Sequence, residues 1–219
     1  MRVLVTAGHS NLGKAICRAF ADAGYEVLYT VSSKDKIDSS DAICADLTDE
    51  DSVVSALSEI KELDVLVNNA GVFTEGKQEN LSAEDFDKVM DINVRGLFLV
   101  TRALLPALKK CNGSIVNIAS MNALHPGFGT SHYDASKGAV AAYTASLAVE
   151  TGLRVNALAP GLIDVEGLHG TELENNWKNH TVKAQMMRPS ELADIVLFLA
   201  RSTGIYGQTV LADNGYCLK

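Results

Sequence analysis

The chain is 219 residues long, 47% hydrophobic and 21% charged, with a formal net charge of −8. That length buries a substantial core as one domain. The acidic balance excludes a nucleic-acid binder, which needs a basic footprint to displace counterions, and no apolar run is long enough to span a bilayer.

The chain opens on "RVLVTA" rather than on a basic segment followed by a long apolar stretch, so the cytoplasm is the expected compartment. Cys17, Cys44, Cys111 and Cys217 form no C-x-x-C pair and are expected as free, buried thiols. His9, His125, His132, His169 and His180 show no ligand spacing, so no metal is expected.

Seven apolar runs read as strands in chain order: "RVLVTA", "EVLYTV", "AICADL", "LDVLVNNAG", "GSIVNIAS", "LRVNALAPG" and "QTVLADNG". Their continuous apolar character fits strands covered on both faces, the mark of a parallel sheet. Helical patterns fall between them at residues 12–23, 50–60, 83–109, 132–151 and 190–201. Ser82 with Asp85 reads as a capping box, and Ser190 after Pro189 as another helix start. The alternation predicts an α/β fold, a doubly wound parallel sheet with helices on both faces and ligands at the carboxyl ends of the strands. Residues 162–187 break the rhythm: polar and containing Trp177, they are expected as a short lid over the site, against the simpler reading of a surface helix anchored by that tryptophan. No linker or repeat divides residues 1–219.

The first turn, "VTAGHSNLGKAI", nearly spells two nucleotide loops. From Gly8 it reads as a P-loop, but Ala15 follows Lys14 where a Ser or Thr must ligate Mg²⁺, so a phosphotransferase fails. From Thr6 it reads T-A-x-x-x-N-x-G, a dinucleotide loop short of two glycines. Gly13 keeps the glycine that lets helix pack on strand. Gly8 is expected to supply the turn in place of Ala7. Asn11 is expected to replace the second glycine as a helix N-cap tolerant of a left-handed backbone.

Support comes from "YDASK", residues 133–137. Tyr133 and Lys137 at i, i+4 share a helix face. A phenol titrating near 10 is a poor acid–base group at neutral pH, and a neighbouring ammonium favours the phenolate. Ser120, thirteen residues earlier, ends a strand where its hydroxyl can bond a substrate oxygen.

At these residues the chain resembles the classical branch of the short-chain dehydrogenase/reductase family, from Val3 to Tyr216. Five motifs are in register: "NNAG" at 68–71, "NV" from Asn93, Ser120, Tyr133-x-x-x-Lys137 and "PG" at 160–161. The resemblance implies a seven-stranded Rossmann-like sheet and NAD(P)-dependent hydride transfer between a carbonyl and an alcohol. It implies Tyr133 as acid–base, Ser120 polarising the carbonyl, Lys137 lowering the tyrosine pKa and bonding the nicotinamide ribose, and Asn93 holding a relay water. By the same resemblance the cofactor lies on Thr6, Gly8, Asn11, Leu12 and Gly13, on Asp46 and Leu47, on Asn69, Ala70 and Gly71, on Tyr133 and Lys137, and on Pro160, Gly161 and Ile163. Asp46 as a cap for the next helix is the competing reading. The substrate is a small carbonyl or alcohol, with 3-oxoacyl, sugar or polyol, and pteridine reductases all open. The small-residue helix "AVAAYTASLAVE" implies a homodimer or homotetramer. His125 and His132 flank the pocket as spectators or substrate contacts. The departures are Ala7, Asn11, Val165 near a position where the family often has Thr, and a trimmed "AVETGLRVN".

The second strand decides the dinucleotide. An acid near its end selects NAD by bonding the ribose 2′-hydroxyl. Here Val31 holds that position, and Ser32, Ser33 and Lys34 offer two hydroxyls and a cation, so NADP(H) is expected over NAD(H). A non-catalytic dinucleotide sensor on the same fold is the alternative, weakened by the intact Asn93, Ser120, Tyr133 and Lys137.

Overall fold

The computed structural model describes residues 1–218. Seven strands form one sheet: β1 (Arg2–Val5), β2 (Glu26–Val31), β3 (Ala42–Cys44), β4 (Val65–Asn68), β5 (Ser114–Ile118), β6 (Arg154–Pro160) and β7 (Thr209–Ala212). All neighbours are parallel, in the order β3-β2-β1-β4-β5-β6-β7. The chain winds outward from β1 to β3, then returns to place β4 on the other side of β1. That reversal opens a crevice beyond the carboxyl ends of β1 and β4, where ligands bind in open sheets of this kind.

Alternation along each strand feeds two cores. Val3 and Val5 of β1 join Val65, Val67, Val116 and Leu158 under α1 (Asn11–Asp22) and α7 (Pro189–Arg201), which contribute Leu12, Ile16, Phe20, Leu192, Val196 and Leu199. Leu4, Leu66, Ile115 and Val155 face the other way, under α2 (Glu50–Leu57), α4 (Leu97–Lys110) and α5 (Ser131–Thr151). Both faces are covered, which is why the strands read as unbroken apolar runs.

The helix expected at 83–109 is three pieces: α3 (Ala83–Met90), a π-helical segment at Asp91–Gly96, and α4. The capping box of Ser82 and Asp85 opens α3. The wider turn carries Asn93, and Gly96 fits because a Cβ there would lie 3.1 Å from the Leu47 carbonyl. α7 begins at Pro189 rather than Ser190, with Glu191 bonding back to Arg188. After β6 come one turn of 3₁₀ helix, α6 (Glu172–His180) and a single bridge between Ile163 and Met187. The four cysteines are free, as expected, and half-buried. Among the described residues no helix is long and apolar enough to cross a membrane, and no group of His, Cys, Asp or Glu is arranged to hold a metal.

Candidate active site

The opening loop solves its missing glycines differently from the sequence expectation. Ala7 itself takes the left-handed conformation, at φ 51°, and Gly8 does not. Gly8 is needed for closeness: a Cβ there would lie 2.4 Å from Cβ of Tyr29 on β2. The N-cap of α1 is Ser10, whose Oγ accepts from the Gly13 amide at 3.1 Å. Asn11 is the first helical residue, exposed, with an ordinary backbone; it neither caps nor turns. Gly13 keeps its expected role, since a Cβ would sit 2.3 Å from the Ala7 carbonyl. The loop fits a pyrophosphate: the chain doubles back with no room for side chains at Gly8 and Gly13, and the helix presents its amide end to the crevice. Leu12 is buried in the core, so it offers only its backbone.

Residues 68–71 are tied to this loop. Thr6 Oγ1 accepts from the amides of Asn69 and Ala70, each at 2.9 Å. The Asn69 amide group donates to the Thr6 carbonyl at 2.9 Å, the Ala7 carbonyl at 3.2 Å and Ser10 Oγ at 3.2 Å. Asn68 instead faces the core, donating to Thr101 Oγ1 and Asn117 Oδ1. Gly71 lies under Lys137 and Asn93; a Cβ there would be 3.2 Å from Asn93 Oδ1 and 3.3 Å from Lys137 Nζ.

Ser120, Tyr133 and Lys137 converge beyond β5. Ser120 caps the short turn after the strand, accepting from the Asn122 amide at 3.2 Å, and its hydroxyl lies near enough to the Tyr133 phenol to pull the phenol's pKa down. Burial pushes the phenol above its ordinary pKa, the Ser120 hydroxyl pulls it down, and the charge of Asp134 pushes it up. The Lys137 ammonium is buried, donates to the Ile118 carbonyl at 2.9 Å, and lies over the Tyr133 ring 5.8 Å from its centroid. Burial lowers Lys137 itself to about 8.

Asn93 is buried and its side chain is occupied. Oδ1 accepts from the Val72 amide at 2.8 Å, and Nδ2 donates to the Val72 carbonyl and to Ser136 Oγ, each at 3.0 Å. Asp46 does not cap α2: Asp49 does, accepting from Ser52, while Asp46 closes its own turn on Thr48. Leu47 lies half-buried beside it.

After β6, Gly161 lies against the ring of Trp177, where a Cβ would be 2.5 Å away. Trp177 is buried, donates to the Gln185 carbonyl at 3.0 Å, and stacks on Tyr216 with centroids 4.5 Å apart. Pro160 ends β6, and Ile163 packs on the core. At the tip of β2, Val31 is buried, Ser32, Ser33 and Lys34 lead into a 3₁₀ turn, and Lys36 donates to Ser32 Oγ at 3.0 Å. His125 is exposed near Tyr216, with centroids 6.1 Å apart. His132 is only 2% exposed, so it is not a substrate contact.

The family model described as Enoyl-(Acyl carrier protein) reductase matches residues 6–217. The 3-oxoacyl-[acyl-carrier-protein] reductase FabG of Thermotoga maritima is 32% identical, with 97% of this chain and 96% of that protein covered. The chain belongs to the short-chain dehydrogenase/reductase family. Among solved members, ligand-free Thermoplasma acidophilum aldohexose dehydrogenase superposes with a TM-score of 0.92 at 28% identity, covering all of this chain and 94% of the other. ElxO with NADP bound superposes at 0.91 and 28% identity, covering all of this chain and 99% of the other. The chain is therefore an enzyme, an oxidoreductase of this family using a nicotinamide dinucleotide, and the non-catalytic alternative falls.

Three site residues escaped the sequence reading. Ser10 carried a signal, since Ser directly before a helical run is a common N-cap. Lys36 stood in "SSKDK" but only the 3₁₀ turn brings it back to Ser32. Thr74, bonded to His132, had no local signal at all.

Proposed function

We propose that this enzyme interconverts a small carbonyl compound and its alcohol with NADP(H), using Tyr133 as acid–base, Ser120 as hydrogen-bond donor to the reacting oxygen, and Lys137 and Asn93 as the groups that hold the site. The observation carrying this reading is the approach of the Ser120 hydroxyl to the half-buried Tyr133 phenol at the carboxyl end of β5. The nicotinamide, when bound, supplies or accepts the hydride. Tyr133 gives its phenolic proton to the carbonyl oxygen on reduction and takes it back on oxidation. Ser120 bonds that oxygen, and its nearness to Tyr133 keeps phenol and substrate oxygen on one side. Lys137, anchored at the Ile118 carbonyl, has ammonium hydrogens left for the ribose. Asn93 braces Val72 and Ser136, and any water it holds must share with those bonds.

The pyrophosphate would lie on the amide end of α1 between Gly8 and Gly13, and the adenine near Asp46 and Leu47. Ser32, Ser33 and Lys34, joined by Lys36, would take the 2′-phosphate that an acid at position 31 would repel. Residues 162–187 act as a lid hinged beside Gly161 and pinned by Trp177. The chain assembles as a homodimer or homotetramer through α4 and α5, where Leu97, Phe98, Val140 and Tyr143 line an apolar groove and Val149 is 88% exposed. The substrate is of the 3-oxoacyl, sugar or polyol, or pteridine type. A panel of such carbonyl compounds, followed by absorbance of NADPH and of NADH, tests the reading; turnover of none of them with either cofactor contradicts it.

A further inference from the structure

The loop between β4 and α3 is fastened to the start of α5 by three bonds. Thr74 Oγ1 and His132 Nε2 lie 2.6 Å apart, the Gly76 amide donates to the Gly129 carbonyl at 2.8 Å, and Ser131 Oγ donates to Gln78 Oε1 at 3.1 Å. Only the first is made by a buried side chain. His132 Nδ1 is also buried and has no partner. A bare ring nitrogen is less costly to leave unpaired than an N–H, which places the proton on Nε2 and makes His132 the donor to Thr74. The carboxylate of Asp85 on α3 is committed to the Ser82 capping box.

The residue before Thr74 is Phe73, and the residue after His132 is Tyr133. Phe73 meets Tyr133 edge to face, with ring centroids 4.8 Å apart and planes at 86°. The two contacts are adjacent rungs between the same two segments. Phe73 is 54% exposed, so burial alone does not fix its ring where it stands. A single edge-to-face pair is a weak contact on its own. The buried bond one residue away is what holds the rung in register.

We propose that His132 is a positioning residue: through Thr74 it holds Phe73 against Tyr133, fixing the orientation of the phenol and the apolar wall beside the reacting carbonyl. This rests on Tyr133 being the acid–base group. A small misplacement of a reacting group costs up to about 100-fold in rate, so the tether acts on turnover, while the loop at residues 6–13 keeps its own bonds to Asn69 and Ala70.

The test compares His132→Leu, His132→Gln, Thr74→Val and Thr74→Ser with the parent and with Tyr133→Phe, on the best carbonyl substrate of the panel. His132→Leu and Thr74→Val are expected to lower kcat by about 10- to 100-fold with the NADPH dissociation constant within about 2-fold. Release of Phe73 rehydrates the phenol, so the apparent pKa on kcat in the oxidative direction shifts to lower pH. His132→Gln, whose amide can still donate, and Thr74→Ser, which keeps the oxygen, recover most of the rate and the parent pH profile. Thr74→Val is close in shape to threonine and keeps the test open if His132→Leu does not fold. Folded His132→Leu or Thr74→Val protein with parent kcat and pH profile overturns the proposal while Tyr133→Phe stays inactive. A fully active Tyr133→Phe enzyme overturns the acid–base reading beneath it, and the proposal with it.

Discussion

The ammonium of Lys137 lies over the face of the Tyr133 ring, 5.8 Å from its centroid, while donating to the Ile118 carbonyl at 2.9 Å. The cation is thus built into the end of β5 and held against the aromatic ring that performs the proposed chemistry. Holding it there costs stability, and the cost depends on pH.

Burial lowers Lys137 from its ordinary 10.5 to about 8. The folded chain then binds this proton less tightly than the unfolded chain does. The penalty is fully present below about pH 8 and disappears as pH rises toward 10.5, a gain of at most about 3 kcal/mol. Lys137→Met removes the penalty along with the ammonium's bond. The melting temperature of the parent should therefore gain on that of Lys137→Met between pH 8 and 10. A difference that stays flat across that window contradicts the buried-cation account.

Ala7 is a non-glycine residue at φ 51°, a conformation that costs L-residues roughly 1–2 kcal/mol. Ala7→Gly relieves that strain but loosens the unfolded chain, so urea unfolding should show a change between about zero and 1 kcal/mol of stabilisation. Gly13→Ala goes the other way, pressing its Cβ on the Ala7 carbonyl and weakening dinucleotide affinity. Clear destabilisation by Ala7→Gly would mean that the alanine methyl is making contacts that outweigh its strain.

Ser10 does what the sequence suggested of Asn11. Ser10→Ala should cost about 1 kcal/mol through the lost cap, and should weaken NADPH binding because Asn69 loses one of its partners. Asn11→Leu should be mild on both counts. The opposite ranking, in fluorescence titrations of the two variants, would return the capping role to Asn11.

These cases mark what was legible. The seven strands and the two-faced sheet were readable because the central strands are buried on both sides, and apolar runs betray that directly. The constellation of Ser120, Tyr133 and Lys137 was readable from spacing and strand end. The lost details depend on an offset of one to three residues or on distant partners. Ser10 against Asn11, and Asp49 against Asp46, differ by where a helix begins, which neighbouring polar residues leave ambiguous. The direction in which Lys137 points is set by the Ile118 carbonyl, nineteen positions away. The π-helical turn at Asn93 has no periodicity to distinguish it from the helices on either side.

At the tip of β2 the proposed 2′-phosphate site has two lysines, Lys34 and Lys36, where the sequence reading named one. Lys36 already donates to Ser32, while Lys34 opens the turn. Lys34→Ala and Lys36→Ala should each lower the NADPH-to-NADH ratio of kcat/KM, and the double variant should lower it further. A ratio unchanged in the double variant would detach both lysines from cofactor choice.

The central claim is that the Tyr133 phenol moves the proton. Tyr133→Phe keeps the ring and its edge contact with Phe73 while removing only the hydroxyl. The decisive measurement is kcat for carbonyl reduction by parent and Tyr133→Phe enzyme under saturating NADPH, with the NADPH dissociation constant measured on the same samples. The account predicts a loss of about 10²- to 10⁴-fold in kcat at nearly unchanged NADPH affinity; turnover within a few-fold of the parent would contradict it.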